Sequence, residues 1–344
     1  MKPFLDSTRA VHDGCELFAR VRKHGYVFIR GLLPPEALEG LRRQCLAIAR
    51  DGGWVKAGTP LADGIADMSG FSVEPEPDFM RVYGGMYKLP EFHALQHHPN
   101  LVGLFERMLG KPLLPHPHLI GRTVFPGREE FTTPAHQDFI GIQGTAETYT
   151  AWIPLSDVPS EMGGLQVAAA SHTRGVYDYR PTLGTGGQEV TDPLTGAWRS
   201  NPFEQGDVLI FHSMAVHKGV PNRSDRLRLS MDARYQKASD PIAPISLLPH
   251  LSEPFTKWDE VYADWPDEFG LKYYWRKRNL TVQDYDNSYH EKRDRMAFEM
   301  GKNGDRRSVS TLQRIAARDA DPAKREKAEN LLAVLDDEQA ESPS

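Results

Sequence analysis

The sequence predicts a mainly β domain, a sandwich or barrel, with helices on its flanks. Three features point there. From about residue 113 to 240, short β-like runs (LIGRTVF, TYTAWIPL, LQVAAA, GDVLIF, RLRLSMDARY) alternate with turn clusters, as many short strands require. Residues 227–234 alternate strictly, with Leu227, Leu229, Met231 and Ala233 on one face and Arg228, Ser230, Asp232 and Arg234 on the other. Apolar stripes at helical spacing precede this region, and a charged helical texture follows it.

In chain order, residues 9–23 read as a short helix and GYVFIRG (residues 25–31) as a strand. Pro34 and Pro35 open a helix whose apolar stripe is Leu38, Leu41, Cys45 and Ile48, and Gly52-Gly53 stops it. Residues 55–88 are rich in Gly, Pro and Asp with little periodicity, which predicts loops and a candidate lid over a site. A second amphipathic helix follows Pro99, with Leu101, Leu104, Phe105 and Met108 on one face and Gly110 at its end. The charged face of residues 227–234 suits either a polar lumen or a solvated exterior.

Beyond about residue 250, WDEVYADW and YYWRKRN begin a helical tail. There Asp321 can cap a helix with Pro322 in its first position and Ala328, Leu331, Leu332 and Leu335 as its stripe. DDEQAESPS at the end reads as disordered. The expected division is a domain over 1–250 and a helical extension over 251–344. That extension either packs on the barrel or joins copies of the chain in a homo-oligomer.

Composition narrows the function classes. With 344 residues, 40% of them hydrophobic, the chain can bury one large core or two modest ones. A net charge of −6 and a pI near 6.1 argue against a nucleic-acid or membrane surface. No apolar run approaches the ~18 residues of a membrane span. MKPFLDSTRA lacks the apolar core of a signal peptide. Cys15 and Cys45 form no CxxC, which speaks against a disulfide framework or a cysteine zinc site and for a reducing cytoplasm.

The chemistry lies in a joint pattern: His136-Gln137-Asp138, the distant His217, and Arg228 with Ser230 eleven residues beyond it. On an extended strand, residues i and i+2 share a face, so His136 and Asp138 can reach one ion. Two imidazoles and a carboxylate can hold Fe(II) on one side and leave positions open for a chelating co-substrate and O2. In a chain with 13 histidines a lone H-x-D pair arises by chance, so the combination carries the signal. Arg228 offers a guanidinium fork and Ser230 a hydroxyl, together a grip for a carboxylate. The competing reading is an ion pair between Arg228 and Asp232, and the spacing from His217 favours the grip.

His212 competes with His217 as the distal ligand, but Arg228 stands at the expected distance from His217; His212 reads as packed or supporting. His116 and His118 read as structural or pocket-lining, and His97-His98 as a surface loop. Gly184-Thr185-Gly186-Gly187 lacks a following Lys-Ser/Thr and reads as a flexible loop. Trp152 either walls the pocket or fills the core. Arg122 and Gln137 are candidate contacts to co-substrate or substrate. No G-x-S-x-G or activated cysteine context suggests nucleophilic catalysis.

From HGYVFIRGLLPPEALEGLRRQ through HPNLVGLFERMLG, PAHQDF, AWIPLSDVPSEMGGLQVAAASHTRG and GDVLIFHSMAVHKGVPNRSDRLRLS, the sequence resembles the phytanoyl-CoA dioxygenase family of Fe(II)/2-oxoglutarate-dependent oxygenases. The resemblance covers roughly residues 20–240. It implies a double-stranded β-helix, a jelly-roll variant, with flanking helices. It implies iron on His136, Asp138 and His217, and the 2-oxoglutarate C5 carboxylate on Arg228 and Ser230. The implied reaction consumes O2, releases succinate and CO2, and oxidises a small-molecule C–H bond. With Asp138 present, hydroxylation is expected over halogenation. Ala170 departs from the family, which often has Gly before the Ser-His pair. A cupin-like metal enzyme without 2-oxoglutarate and a non-catalytic jelly-roll binding module are the competing readings. No motif names the substrate, and a small metabolite or natural-product intermediate is expected.

Overall fold

Alternating side chains sort the strands into layers. The computed structural model describes residues 1–74, 76–182, 187–251, 257–286, 288, 291–305, 308–319 and 321–341. Its strands are β1 (Tyr26–Ile29), β2 (Leu113–Pro115), β3 (Ile120–Val124), β4 (Tyr149–Pro154), β5 (Leu165–Ala168) and β6 (Tyr179–Pro181). They continue with β7 (Gln188–Val190), β8 (Trp198–Arg199), β9 (Val208–His212), β10 (His217–Gly219) and β11 (Arg228–Lys237). A six-stranded sheet runs β1-β9-β4-β11-β2, with β3 also on β11. A three-stranded sheet runs β10-β5-β8, and β6-β7 is a separate hairpin. Every pairing between two of these strands is antiparallel.

Directly opposed residues of neighbouring strands share a face. Met231 lies opposite Ile153, Ala233 opposite Ala151, Ala151 opposite Ile210, and Ile210 opposite Val27. This face of the large sheet joins the main apolar core with the helices α1 (Gly14–His24), α2 (Pro35–Asp51), α3 (Pro77–Tyr87), α4 (Pro90–Leu95) and α5 (Pro99–Leu109). On the other face, Asp232 lies opposite Trp152, Trp152 opposite Leu209, and Leu209 opposite Phe28. Trp152, Leu209 and Phe28 pack with Leu165 and Val167 of the small sheet in a second apolar cluster. Arg228, Ser230 and Arg234 are buried on this same inner side, so the charged face of β11 lines the interior and is not solvated.

The helices follow local chemistry. Asp13 caps α1 by accepting the Glu16 amide, and Gly25 ends it at φ 79°. Helix α5 buries Leu101, Leu104, Phe105 and Met108 as expected, and the Phe105 ring stacks on Tyr235 with centroids 4.0 Å apart. Each such side chain contributes about 1.5–3 kcal/mol by leaving water.

Residues 55–88 differ from the loop expectation. Pro77 starts α3, which buries Phe79, Val82, Tyr83, Met86 and Tyr87. Gly84-Gly85 dilutes the apolar signal, yet a Cβ on Gly85 would stand 3.0 Å from the Ile48 side chain, so the glycine lets α3 approach α2 closely. Among the described residues, helical residues outnumber strand residues, chiefly because of the flanking helices and the helical tail. The fold is mixed α/β with antiparallel sheets, not mainly β.

The tail has two parts. Trp258 and Val261 of α7 (Trp258–Val261), with Tyr262, Trp265 and Trp275, belong to the main core. Helices α8 (Glu291–Lys302), α9 (Val309–Arg318) and α10 (Pro322–Glu341) bury Ala297, Phe298, Leu312, Ile315, Ala328 and Leu335 among themselves. Buried Asp294 is paired there with Arg314 and Lys324. Asp321 accepts the Ala323 amide at 2.9 Å, as a cap should. Helix α10 continues through Glu341, so residues 336–341 are helical where disorder was expected; Ala, Glu and Gln favour helix up to there. No helix among the described residues is long and apolar enough to cross a membrane. Of the Gly184–Gly187 loop, only Gly187 falls within the described residues.

Ala170 links β5 to the turn Ser171–Arg174 in a left-handed conformation, φ 62° and ψ 6°. That region costs an L-residue about 1–2 kcal/mol. The departure from glycine is therefore strained. Ala170→Gly is expected to raise stability by up to about 1 kcal/mol once the greater freedom of the unfolded glycine is counted. Thermal unfolding checks this, and an unchanged or lower Tm would contradict it.

Candidate metal centre

His136 and His217 face each other across an antiparallel bridge, exchanging N–H···O bonds of 2.9 and 3.0 Å. Their rings lie with centroids 4.1 Å apart. Gln137 is extended, with φ −118° and ψ 127°, and Asp138 is the first residue of α6 (Asp138–Ile142). The H-x-D pair thus sits at a strand-to-helix junction, not along a continuous strand as expected. One extended residue between the two suffices to keep both side chains on one side. Ligand atoms of His136, Asp138 and His217 all lie within 4.8 Å of one another. Each imidazole Nε2 is 3.8 Å from Asp138 Oδ1.

The hydrogen bonds assign the tautomers. His136 Nδ1 lies 2.8 Å from the Pro134 carbonyl and His217 Nδ1 3.1 Å from the Ala215 carbonyl. A carbonyl only accepts, so each Nδ1 carries the proton and each Nε2 presents a lone pair. Burial, reinforced by neighbouring His217, pushes His136 down to about 3, so this ring stays neutral. Burial would raise Asp138, but Arg234, His217, His136 and the Thr150 hydroxyl outweigh it and hold the carboxyl well below its usual range. Thr150 donates to Asp138 Oδ2 at 2.7 Å, and Arg234 Nη2 stands 3.4 Å from the same oxygen. Oδ2 is thereby occupied and Oδ1 remains for an ion. Two imidazole nitrogens and one carboxylate oxygen fit Fe(II) with open positions.

Arg228 opens β11 and is buried. Its Nη1 donates to the carbonyls of Gly163 (2.6 Å), Gly164 (3.2 Å) and Val220 (3.4 Å). Gly163 has φ +65°, and a Cβ there would meet the Pro221 carbonyl oxygen at 2.4 Å, so only glycine admits this close approach. Burial draws the Arg228 guanidinium down to about 10, which leaves it cationic at neutral pH. Its Nε and the buried Ser230 hydroxyl have no hydrogen-bond partner among the described residues. A carboxylate fits these unpaired donors. Asp232, the competing partner, lies 3.6 Å from Arg122, whose Nη1 is 3.5 Å from Glu74.

The remaining candidates separate. Trp152 lies in the apolar part of the interlayer, its indole against Phe203 with centroids 4.6 Å apart. Arg122 stands opposite Ser230 in the ladder. The Gln137 side chain is engaged by main chain: its amide donates to the Gly175 and Met214 carbonyls and accepts the Tyr177 amide. His212 Nδ1 accepts the Met214 amide and its ring packs on Tyr149 and His172, so it does not join the cluster of His136, Asp138 and His217. His116 bonds Gln236, and His118 bonds the Leu248 carbonyl. His98 caps α5, and His97 packs on Tyr274 rather than lying on a surface loop. Thr150 and Arg234 were not singled out from the sequence. Arg234 stood on the charged face of β11, but nothing local links it to Asp138.

A family model described as phytanoyl-CoA dioxygenase (PhyH) matches residues 21–230. A protein named 1-deoxypentalenic acid 11-beta-hydroxylase, from Streptomyces exfoliatus, is 29% identical over 258 residues, covering 70% of this chain and 87% of its own. Its namesake from Streptomyces arenae is 29% identical over 252 residues, covering 69% and 86%. Among solved structures, the epimerase SnoN in complex with Fe3+, alpha ketoglutarate and nogalamycin RO is 23% identical with a TM-score of 0.49, covering 69% of this chain and 87% of its own. With the profile matching most of the chain and the ligand set in place, the protein belongs to the phytanoyl-CoA dioxygenase family of Fe(II)/2-oxoglutarate-dependent oxygenases.

Proposed function

We propose that this enzyme hydroxylates a C–H bond of a small natural-product-type molecule, using Fe(II), 2-oxoglutarate and O2 and releasing succinate and CO2. The observation that carries the reading is the convergence of His136 Nε2, His217 Nε2 and Asp138 Oδ1. These three would hold the iron, and Arg228 with Ser230 would bind the C5 carboxylate of 2-oxoglutarate. Bound there, iron and co-substrate supply the oxidising power that removes hydrogen from the substrate.

The chain's own residues do the positioning. Pro134 and Ala215 carbonyls fix the two rings, and Thr150 and Arg234 leave Asp138 one free oxygen. Arg122 takes up Asp232 and so keeps that carboxylate from neutralising Arg228. Trp152, with Phe203, Leu209 and Phe211, walls one side of the interlayer and excludes water. In this reading the two facing sheets are a double-stranded β-helix within a catalytic unit over 1–250, and 251–344 is its helical extension. The Asp138 carboxylate and the hydroxylase names of the Streptomyces relatives both favour hydroxylation.

Apo-enzyme loaded anaerobically with Fe(II) and 2-oxoglutarate, then exposed to O2, is expected to form succinate only when all three are present. An accepted substrate is expected to accelerate that release. Turnover of a substrate without 2-oxoglutarate consumption would favour a cupin-like metal enzyme instead.

A further inference from the structure

The extension is hydrogen-bonded to helix α6, which Asp138 opens. We propose that residues 281–286 form a strap that sets the position of Asp138 through helix α6, with Gln143 and Tyr285 as its positioning residues. The inference rests on the reading of Asp138 as a metal ligand.

Helix α6 is only five residues long, too short to hold its own geometry, and Asp138 is its first residue. Its first turn is tied to the end of β9 by the Phe139 amide, which donates to the Ser213 carbonyl at 3.0 Å. Its last turn is tied to the extension. The Tyr285 hydroxyl donates to the Ile140 carbonyl at 3.0 Å, one of the helix-end acceptors that lack an intrahelical partner. Gln143 then ends the helix at φ 48° and ψ −150°, a conformation that side-chain-bearing residues rarely adopt. Such strain persists only where the surroundings over-determine it.

Here the surroundings are the strap. The buried Gln143 amide donates to the Asp286 carbonyl at 2.8 Å and accepts the Asp286 amide at 2.7 Å, the paired bonds of a strand neighbour. Gly144 follows at φ +74°, where a Cβ would sit 2.7 Å from the Pro241 carbonyl oxygen and 2.9 Å from the Ala243 nitrogen. The strap is itself fastened to that passing chain: Ile242 N donates to Thr281 O at 2.9 Å and Gln283 N to Ile242 O at 3.0 Å. The extension reaches the other side of the ligand pair as well. Helix α8 packs on β6, and Val190 of β7 donates to the Ala135 carbonyl at 2.7 Å, one residue before His136. The family match ends at residue 230, so the strap lies outside it.

The test compares full-length wild type, Gln143→Gly and Tyr285→Phe by anaerobic Fe(II) titration and by thermal unfolding. Gln143→Gly relieves the backbone strain while removing the latch, and Tyr285→Phe keeps the ring and removes one donor. The expected result is an Fe(II) dissociation constant raised about tenfold in Gln143→Gly and several-fold in Tyr285→Phe, as loss of outer support for a ligand does. The Tm of Gln143→Gly should hold or rise, which separates loss of positioning from loss of stability. Wild-type Fe(II) affinity in both variants would overturn the strap alone. A wild type that binds no Fe(II) would overturn the metal-centre reading and the strap with it. If Gln143→Gly does not fold, Tyr285→Phe decides by the same criterion.

Discussion

Asp138→Ala is expected to reduce both Fe(II) binding and O2-dependent succinate formation to background. Asp138 supplies the only negative charge among His136, Asp138 and His217, and its Oδ1 stands equally near both imidazole nitrogens. Without it, two imidazoles remain, and Arg234 loses the carboxylate 3.4 Å away. A buried charge stripped of its partner costs about 3–5 kcal/mol, so the alanine variant is also expected to be less stable. Asp138→Asn separates the two losses. It keeps the volume and an acceptor for Thr150 but removes the charge, so it should fold more like the wild type and still fail to bind iron. Ligand binding to the native state stabilises it by mass action, about 2.7 kcal/mol at a hundredfold excess over the dissociation constant. The wild-type Tm should therefore rise on adding Fe(II), and neither variant should respond. An Fe(II)-dependent shift retained in both would remove Asp138 from the ligand set.

Where the pattern was periodic or motif-like, the sequence was readable. The alternation over residues 227–234 foretold a two-faced strand, and the structure settles which face is inside. The spacing of His136, Asp138 and His217 foretold that they meet, because an antiparallel pairing can bring distant segments together in register. Composition misled at residues 55–88, since Gly84-Gly85 reads as loop until the closeness of α2 is known. The support of Asp138 was invisible for a different reason. Thr150 and Arg234 reach it from two strands far apart in sequence, and a threonine in a strand is unremarkable by itself. The grip of Gln143 on Asp286 spans 143 residues and uses backbone atoms on one side, which no side-chain pattern encodes. Long-range bonds to main chain are the part of a site that residue types express least.

Arg228→Ala is expected to raise the KM for 2-oxoglutarate by roughly two to three and a half orders of magnitude, the equivalent of about 3–5 kcal/mol for an unpartnered buried carboxylate. Part of the loss is local. Arg228 Nη1 is the donor to the carbonyls of Gly163, Gly164 and Val220, so alanine also loosens the Gly163-Gly164 turn and lowers stability. Arg228→Lys distinguishes charge from shape. An ammonium keeps the positive charge but cannot hold the turn carbonyls with one nitrogen while presenting others in a fork. Its KM should fall between those of wild type and alanine, with Fe(II) affinity close to wild type because the triad is untouched. Ser230→Ala removes a single donor and should cost about 1 kcal/mol, roughly a fivefold rise in KM. This ordering, with the effect confined to the co-substrate, is the signature of a carboxylate socket. An unchanged KM in Arg228→Ala would move the anion site elsewhere in the interior, to buried Arg234 first, because its Nε and Nη1 also have no hydrogen-bond partner among the described residues, whereas Arg122 already faces Glu74 and Asp232.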